Sequence, residues 1–269
     1  MDSTDVAKIK GFWQDRAREV QTDAATTHPD IWQRWLEIEL IKTLVGPQDR
    51  VLDIGCGNGY TTRRIAPLVK EIIGADYSEE MIRRAEHPNG EDARCVAANM
   101  EFAAQDVTKL SPGSFGLFDV VLSERCLINL GTWEAQQRGL LNIAAVLKPG
   151  GRFIFVEGSA DGRARLNELR QAVGLEPMPP VWHNIDFHEE RLLQFLTPYY
   201  EVVEHRHFGV YDFLSRVIHP LLVAPETPRY EAKINEIAAR TALVRQKDMG
   251  DISRVVFLVL RRNTTPPGA

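Results

Sequence analysis

The apolar positions change their period along the chain, and that change divides it. Within 5–20 and 29–44 they recur at helical spacing. In the second segment Ile31, Trp35 and Ile38 share one face, with Trp32, Leu36 and Leu40 beside them. From Arg50 the pattern becomes short apolar runs separated by polar, helix-forming stretches. Strands are expected at 51–54, 71–75, 100–104, 118–122 and 152–156. A glycine-rich turn follows the first, and Ser78 is placed to cap a helix that opens Glu79-Glu80-Met81. A further helix, about 132–147, stops at Lys148-Pro149-Gly150-Gly151. Strands alternating with helices at this spacing predict an α/β fold with a doubly wound, mostly parallel sheet.

After Gly158 the alternation fails. Helices are expected at 162–173, 189–195, about 212–222 and 229–243, with an irregular stretch at Pro177, Pro179 and Pro180. Strands at 200–208 and 252–261 are expected to form the far edge of the sheet. The chain thus divides into an N-terminal helical segment (1–49), a core (50–157), a region of cap insertions with the last strands (158–262) and a flexible tail (263–269).

Composition narrows the function classes without naming one. Hydrophobic residues make up 44% and charged residues 26% of 269, the balance of a folded globular chain rather than a disordered one. The longest apolar run, 255–260, is far too short to span a bilayer, so no membrane span is expected. The first residues carry Asp2, Asp5, Lys8 and Lys10 with no apolar leader. Three scattered cysteines, Cys56, Cys95 and Cys126, form no CxxC. They predict neither a disulfide framework nor a zinc site, and a cytoplasmic location is expected. The 32 basic and 37 acidic residues sum to −5 with no basic block, which argues against a nucleic-acid partner and for a small polar one. Oligomeric state is not readable, because apolar helix faces serve a core or an interface equally.

The chemistry concentrates where strands end. Asp53-Ile-Gly55-Cys-Gly57-Asn-Gly59 follows the first strand and opens a helix. Glycines there let backbone pass close to a ligand and take positive φ. The third glycine of a GxGxxG dinucleotide fingerprint would fall at Tyr60, so the pattern is a different one, an acid followed by GxGxG. A carboxylate before such a loop suits a neutral or cationic ligand better than a pyrophosphate. Asp76 ends the second strand, where an acid can accept ribose hydroxyls, and Asp106 follows the third.

These segments together resemble the class I S-adenosylmethionine-dependent methyltransferases. The likeness runs through VLDIGCGNG at 51–59, GADYSEEMI at 74–82, QDV at 105–107, FDVVLSE at 118–124 and LKPGG at 147–151, in order and at matching spacing. The resemblance implies a seven-stranded Rossmann-like methyltransferase sheet with N-terminal helices and a helical cap, and S-adenosylmethionine as cofactor. It places Gly55, Gly57 and Gly59 against the methionine part and ribose, with Tyr77, Met81 and Ser123 nearby. Asp76 would take the ribose hydroxyls, Asp106 and Val107 the adenine, and Asp53 would organise the loop. Trp13 and Arg16 resemble an N-terminal segment that closes over the cofactor, although an aromatic there packs equally well as core.

The acceptor should sit beyond the ends of the fourth and fifth strands. Candidates there are Glu124 and Glu157, as a base or as ligands for Mg2+, and Arg125, as an anchor for the acceptor; an internal Glu124–Arg125 pair is the competing reading. The loop carrying Trp182, His183, Asn184 and His188 can reach the site, with His183 the leading base and the others binding acceptor. His205, His207 and His219 read as surface positions. No NPPY-type motif follows the fourth strand, against methylation of DNA bases or protein glutamine. Weaker likenesses around Glu124–Leu130 and 213–216 point to bacterial enzymes of polysaccharide and glycan methylation, those of methylmannose polysaccharides among them. The expected reaction is O-methylation of a sugar or oligosaccharide hydroxyl. An amine, carboxylate or phosphate oxygen as acceptor, and a non-catalytic cofactor-binding module, are the rivals.

Overall fold

A computed structural model describes residues 3–20, 23–95, 97–245 and 249–264. The expected flexible tail lies for the most part outside them. Two helices open the chain, α1 (Ser3–Glu19) and α2 (Ile31–Lys42), and the Asp30 carboxylate caps the second by accepting from the Gln33 N–H at 3.2 Å. The alternation then runs β1 (Arg50–Ile54), α3 (Tyr60–Ile65), β2 (Glu71–Asp76), α4 (Glu79–Glu86), β3 (Met100–Ala104), α5 (Pro112–Phe115), β4 (Phe118–Glu124), α6 (Trp133–Val146) and β5 (Leu147–Gly158). After it come α7 (Ala160–Ala172), α8 (Glu189–Leu196), β6 (Tyr200–His207), α9 (Gly209–Phe213), α10 (His219–Val223), α11 (Lys233–Val244) and β7 (Val255–Arg262). A single turn of π-helix, 214–218, joins α9 to α10, so the one helix expected near 212–222 is a bent composite.

Seven strands form one sheet in the order β3-β2-β1-β4-β5-β7-β6. The first five pair in parallel, and β7 enters antiparallel between β5 and the edge strand β6. β5 starts at Leu147 rather than Arg152, because Leu147 already pairs with Phe118 across a register shift.

Alternate side chains of the central strands feed two cores. Leu52, Ile54, Val121 and Phe153 pack on one face, and Val51, Val120, Leu122 and Ile154 pack on the other, under α2 and α11. Burial on both faces is why these strands read as continuous apolar runs rather than as alternation. The chain leaves β1 for β2 on one side, while β4 lies on the other. Their carboxyl ends therefore diverge around a crevice, the position where ligands bind in such sheets.

Candidate functional site

The crevice is built by the turn after β1. Gly55 and Gly57 take φ of +77° and +55°. A Cβ on Gly55 would overlap the Cys126 side chain, and one on Gly57 would stand 2.5 Å from Thr27 Cγ2. The glycines thus answer both to backbone conformation and to neighbouring chain. Asp76 organises the turn: its carboxylate accepts from the Gly57 N–H at 2.9 Å and the Ser78 N–H at 2.8 Å. Asp53 accepts the Thr62 hydroxyl at 2.5 Å and also lines the cleft. Burial raises the Asp53 carboxyl to about 7 and that of Asp76 to about 6, although two N–H donors pull the latter back.

The space between these elements is a cleft of about 700 Å3, lined by Trp13, Gly55, Gly57, Asp76, Tyr77 and Met81 on one side and by Glu124 and Arg125 on the other. A connected recess of about 780 Å3 is lined by Gln105, Asp106 and Val107 and shares Gly55 and Tyr77 with the cleft. Asp106 spends Oδ1 on the Thr108 N–H and hydroxyl, at 2.8 and 2.7 Å. The Tyr77 hydroxyl and Glu124 Oε1 are buried at this cleft without a hydrogen-bond partner. Two orphaned polar atoms and two carboxylates around one elongated space fit a ligand that offers hydroxyls, an amino group and a cationic centre. Those are the groups of S-adenosylmethionine.

Arg125 stands apart from its strand. It adopts φ +54°, in the left-handed region that a non-glycine residue rarely takes, and its guanidinium pairs with the buried Glu37 of α2. An internal Glu124–Arg125 pair is therefore not what forms. Burial pushes the Glu37 carboxyl up to about 7 against the pull of Arg125. Asn129 bridges to the N-terminal helix, donating to the Arg125 carbonyl at 2.7 Å and accepting from Trp13 Nε1 at 3.2 Å.

Beyond this bridge a chamber of about 1290 Å3 opens, lined by Phe12, Arg16, His183, Asn184, Arg163 and Arg254 among others. Trp13, Thr27, His28, Arg125 and Asn129 line both the chamber and the cofactor cleft, so the two spaces meet along that row. His183 packs between Phe12 and Trp13, with ring centroids at 4.7 and 5.3 Å, and its Nδ1 has no partner. Burial lowers its pKa to about 4, so the imidazole is neutral at physiological pH. Asn184 Oδ1 is likewise buried and unpartnered.

Several expectations are replaced. Glu157 is fully buried and does not reach the cleft. It accepts the Ser123 hydroxyl at 2.5 Å and the N–H groups of Cys126, Leu127 and Ile128 at 3.1, 3.1 and 3.3 Å. Neither Glu157 nor Ser123, its hydroxyl donor, lines the cleft or the chamber, so the expected roles of Glu157 as base or Mg2+ ligand and of Ser123 as cofactor contact give way to an anchor for this turn. Arg16 is tied to the carbonyls of Ala25 and Thr26 at the chamber, not to the cofactor cleft. Trp182 is half exposed, with Lys8 over its ring, and buttresses His183 from outside at 5.0 Å. His188 points away to Asp161, because a bridge between Ser159 and Phe187 carries the chain past the chamber. His219 is buried, its Nδ1 3.2 Å from Asn235 Oδ1.

Sequence reasoning missed His28, Arg34, Glu37, Asn129, Arg163 and Arg254. Glu37 was findable: a carboxylate among Leu36, Ile38 and Leu40 sits on a stripe where an acid is out of place.

Residues 51–151 match the family described as "Methyltransferase domain". The match runs from β1 to the start of β5 and leaves the rest of the chain outside it. Among curated proteins the chain is 35% identical over 155 residues to the ubiquinone/menaquinone biosynthesis C-methyltransferase UbiE of Ectopseudomonas mendocina, covering 55% of this chain and 56% of the relative. It is 36% identical over 124 residues to the tRNA 5-carboxymethoxyuridine methyltransferase of Escherichia coli K12, covering 44% and 43%. The chain spans about half the length of these relatives.

Among solved structures, the N-methyltransferase NodS of Bradyrhizobium japonicum in complex with S-adenosyl-L-homocysteine superposes with TM-score 0.54 at 18% identity, over 94% of this chain and 98% of that one. The DhpI–SAH complex superposes with TM-score 0.59 at 16% identity, over 98% of this chain and 100% of that one. These superpositions show the fold. One relative is named for a tRNA, so the expectation against a nucleic-acid partner finds no support among the relatives. Among the described residues no helix is long and apolar enough to cross a membrane.

A titration follows from Asp76. Ribose hydroxyls donate to an ionised carboxylate, so cofactor binding favours the deprotonated acid. With the free carboxyl raised to about 6, affinity should be level above that pH and weaken as pH falls below it, approaching tenfold per unit. Calorimetric titration with S-adenosylhomocysteine between pH 5 and 8 measures this, and a flat profile would exclude Asp76 as the ribose acceptor.

Proposed function

We propose that the chain binds S-adenosylmethionine in the β1–β4 crevice and methylates an oxygen of a small polar acceptor held in the adjoining chamber. The meeting of the two spaces at Trp13, Thr27, His28, Arg125 and Asn129 carries this reading, because it gives the methyl group a direct path from one to the other. The bound cofactor supplies an electrophilic methyl on a sulfonium, which departs as a neutral thioether and needs no acid.

What remains for the protein is alignment and proton removal. Gly55, Gly57 and Asp76 hold the cofactor's polar end, and the Trp13–Asn129 bridge closes the N-terminal helix over it. His183 lines the chamber, and its neutral ring, whose Nδ1 is buried and unpartnered, takes the proton from an acceptor hydroxyl as the carbon–oxygen bond forms. The segments after Gly158 provide Arg163, Asn184 and Arg254 to that chamber, which supports an acceptor-binding role for the cap.

A sugar or oligosaccharide hydroxyl suits the amide, guanidinium and aromatic lining. The guanidiniums of Arg125, Arg163 and Arg254 are already paired with Glu37, Asp186 and Asp212, and that of Arg16 with two carbonyls, so they shape the chamber without favouring a charged acceptor over a neutral one. Transfer of labelled methyl to paired neutral and acidic saccharides, with and without Mg2+, tests the reading. Transfer to none would leave a cofactor-binding module without catalysis.

His183→Ala should lower kcat by roughly a hundredfold or more while S-adenosylhomocysteine affinity stays within about twofold. Unchanged turnover would remove His183 as the base.

A further inference from the structure

At the far edge of the sheet, methyl transfer leaves a second chemical cluster unused. His205 and His207 stand two residues apart on β6, so the strand's period of two puts both rings on the same side, with centroids 4.8 Å apart. Glu189, the first residue of α8, faces them, and its Oε2 lies 2.9 Å from Nε2 of each. Its other oxygen accepts the Ser159 hydroxyl, which orients the carboxylate. One donor atom from each of the three residues falls within 4.8 Å of the others.

Ligands held about 2.1 Å from an ion stand roughly 3.0 Å apart in octahedral and roughly 3.4 Å in tetrahedral geometry, close to the 2.9 Å between Glu189 Oε2 and each imidazole Nε2. The three open onto a recess of about 1030 Å3 rather than into packed core, which leaves room for an ion and its waters. Asp161, Glu190 and Asp251 line the same recess together with Arg165 and Arg191, so acids outnumber cations there. The nearest competing cation, Arg165, is 3.8 Å from Glu189 but is drawn to Asp251 at 2.8 Å.

We propose that Glu189, His205 and His207 form a binding site for a divalent transition ion of the zinc, cobalt or nickel class. Two imidazoles select such ions over Mg2+ and Ca2+, which prefer oxygen. The site is remote from the methyl path, and its role is structural. It clips the start of α8, directly after the chamber loop that ends at Asp186, Phe187 and His188, onto the edge strand. The ion would replace two side-chain hydrogen bonds with coordinate bonds and stiffen the wall that carries His183 and Asn184.

Untagged full-length protein is titrated with ZnCl2 by calorimetry in a non-chelating buffer, and separately with MgCl2, while Tm is followed in parallel. The expected result is one Zn2+ per chain with a Kd of about micromolar or tighter, a Tm that rises with zinc, and no response to Mg2+. His205→Ala and His207→Ala should each weaken zinc binding by roughly tenfold or more while leaving S-adenosylhomocysteine affinity unchanged. Because both rings are partly exposed, these variants fold, and their circular dichroism verifies it. The Co2+ form should show weak nitrogen/oxygen-type bands and no thiolate charge-transfer band, which separates this site from the cysteines. Binding only at millimolar zinc, binding unaltered in both histidine variants, or a thiolate spectrum would each overturn the proposal.

Discussion

Glu157→Ala should destabilise the protein by about 3–5 kcal/mol, the cost of leaving several buried donors without their acceptor. For a chain of this size that lowers Tm by roughly 6–20 °C. One carboxylate at the end of β5 gathers the Ser123 hydroxyl and three successive N–H groups, those of Cys126, Leu127 and Ile128. These N–H groups belong to the turn that swings Arg125 and Asn129 to the junction of the two cavities. Loss of the acceptor therefore loosens the junction as well as the core. Glu157→Gln should fall between the two, because its amide keeps one oxygen for Ser123, Cys126 and Leu127 but turns an NH2 toward Ile128. Thermal denaturation of the three proteins checks the order. A Glu157→Ala variant with native Tm and lost turnover would instead make Glu157 a catalytic group and overturn its placement as an anchor.

Asp76→Ala should weaken S-adenosylhomocysteine binding by roughly a hundredfold, about 3 kcal/mol for two hydrogen bonds to a charged acceptor. The side chain does two jobs. It holds the Gly57 and Ser78 N–H groups, and under the proposed function it also takes the ribose hydroxyls. The alanine variant thus loses a ligand contact and the support of the loop that shapes the cleft. Asp106→Ala should cost less, because Asp106 sits at the rim with about a third of its side chain exposed and one oxygen committed to Thr108. Equilibrium titration of each variant measures the difference. An Asp76→Ala affinity equal to that of the unaltered protein would sink the ribose assignment.

Reading from sequence succeeded where local chemistry and long-range packing ask for the same thing. β1 to β4 fall within two residues of their apolar runs, because burial on both faces requires such runs. Ser78 caps α4 as its position implied, its Oγ accepting from Met81 N–H at 3.3 Å. Legibility ended at side-chain direction. An acid after a strand reads the same whether it faces a cleft or a neighbouring turn: Glu124 does the first and Glu157 the second. Arg125 finds its partner in Glu37, eighty-eight residues away, which no local pattern signals. His183 and His188 lie in one loop, yet the bridge from Phe187 to Ser159 sends them to opposite sides. His205 and His207 looked like idle surface because Glu189, the residue that makes them a site, lies on another element.

The sequence by itself determined the strand–helix alternation, the glycine turn and the acids at the strand ends. Each depends on near neighbours: periodicity on burial, turns on backbone freedom. The tertiary structure alone decided which acids face the crevice, which spend their oxygens on backbone N–H groups, and which histidines meet. Those outcomes depend on where distant segments pack, and a charged side chain's role follows from the partner it finds there.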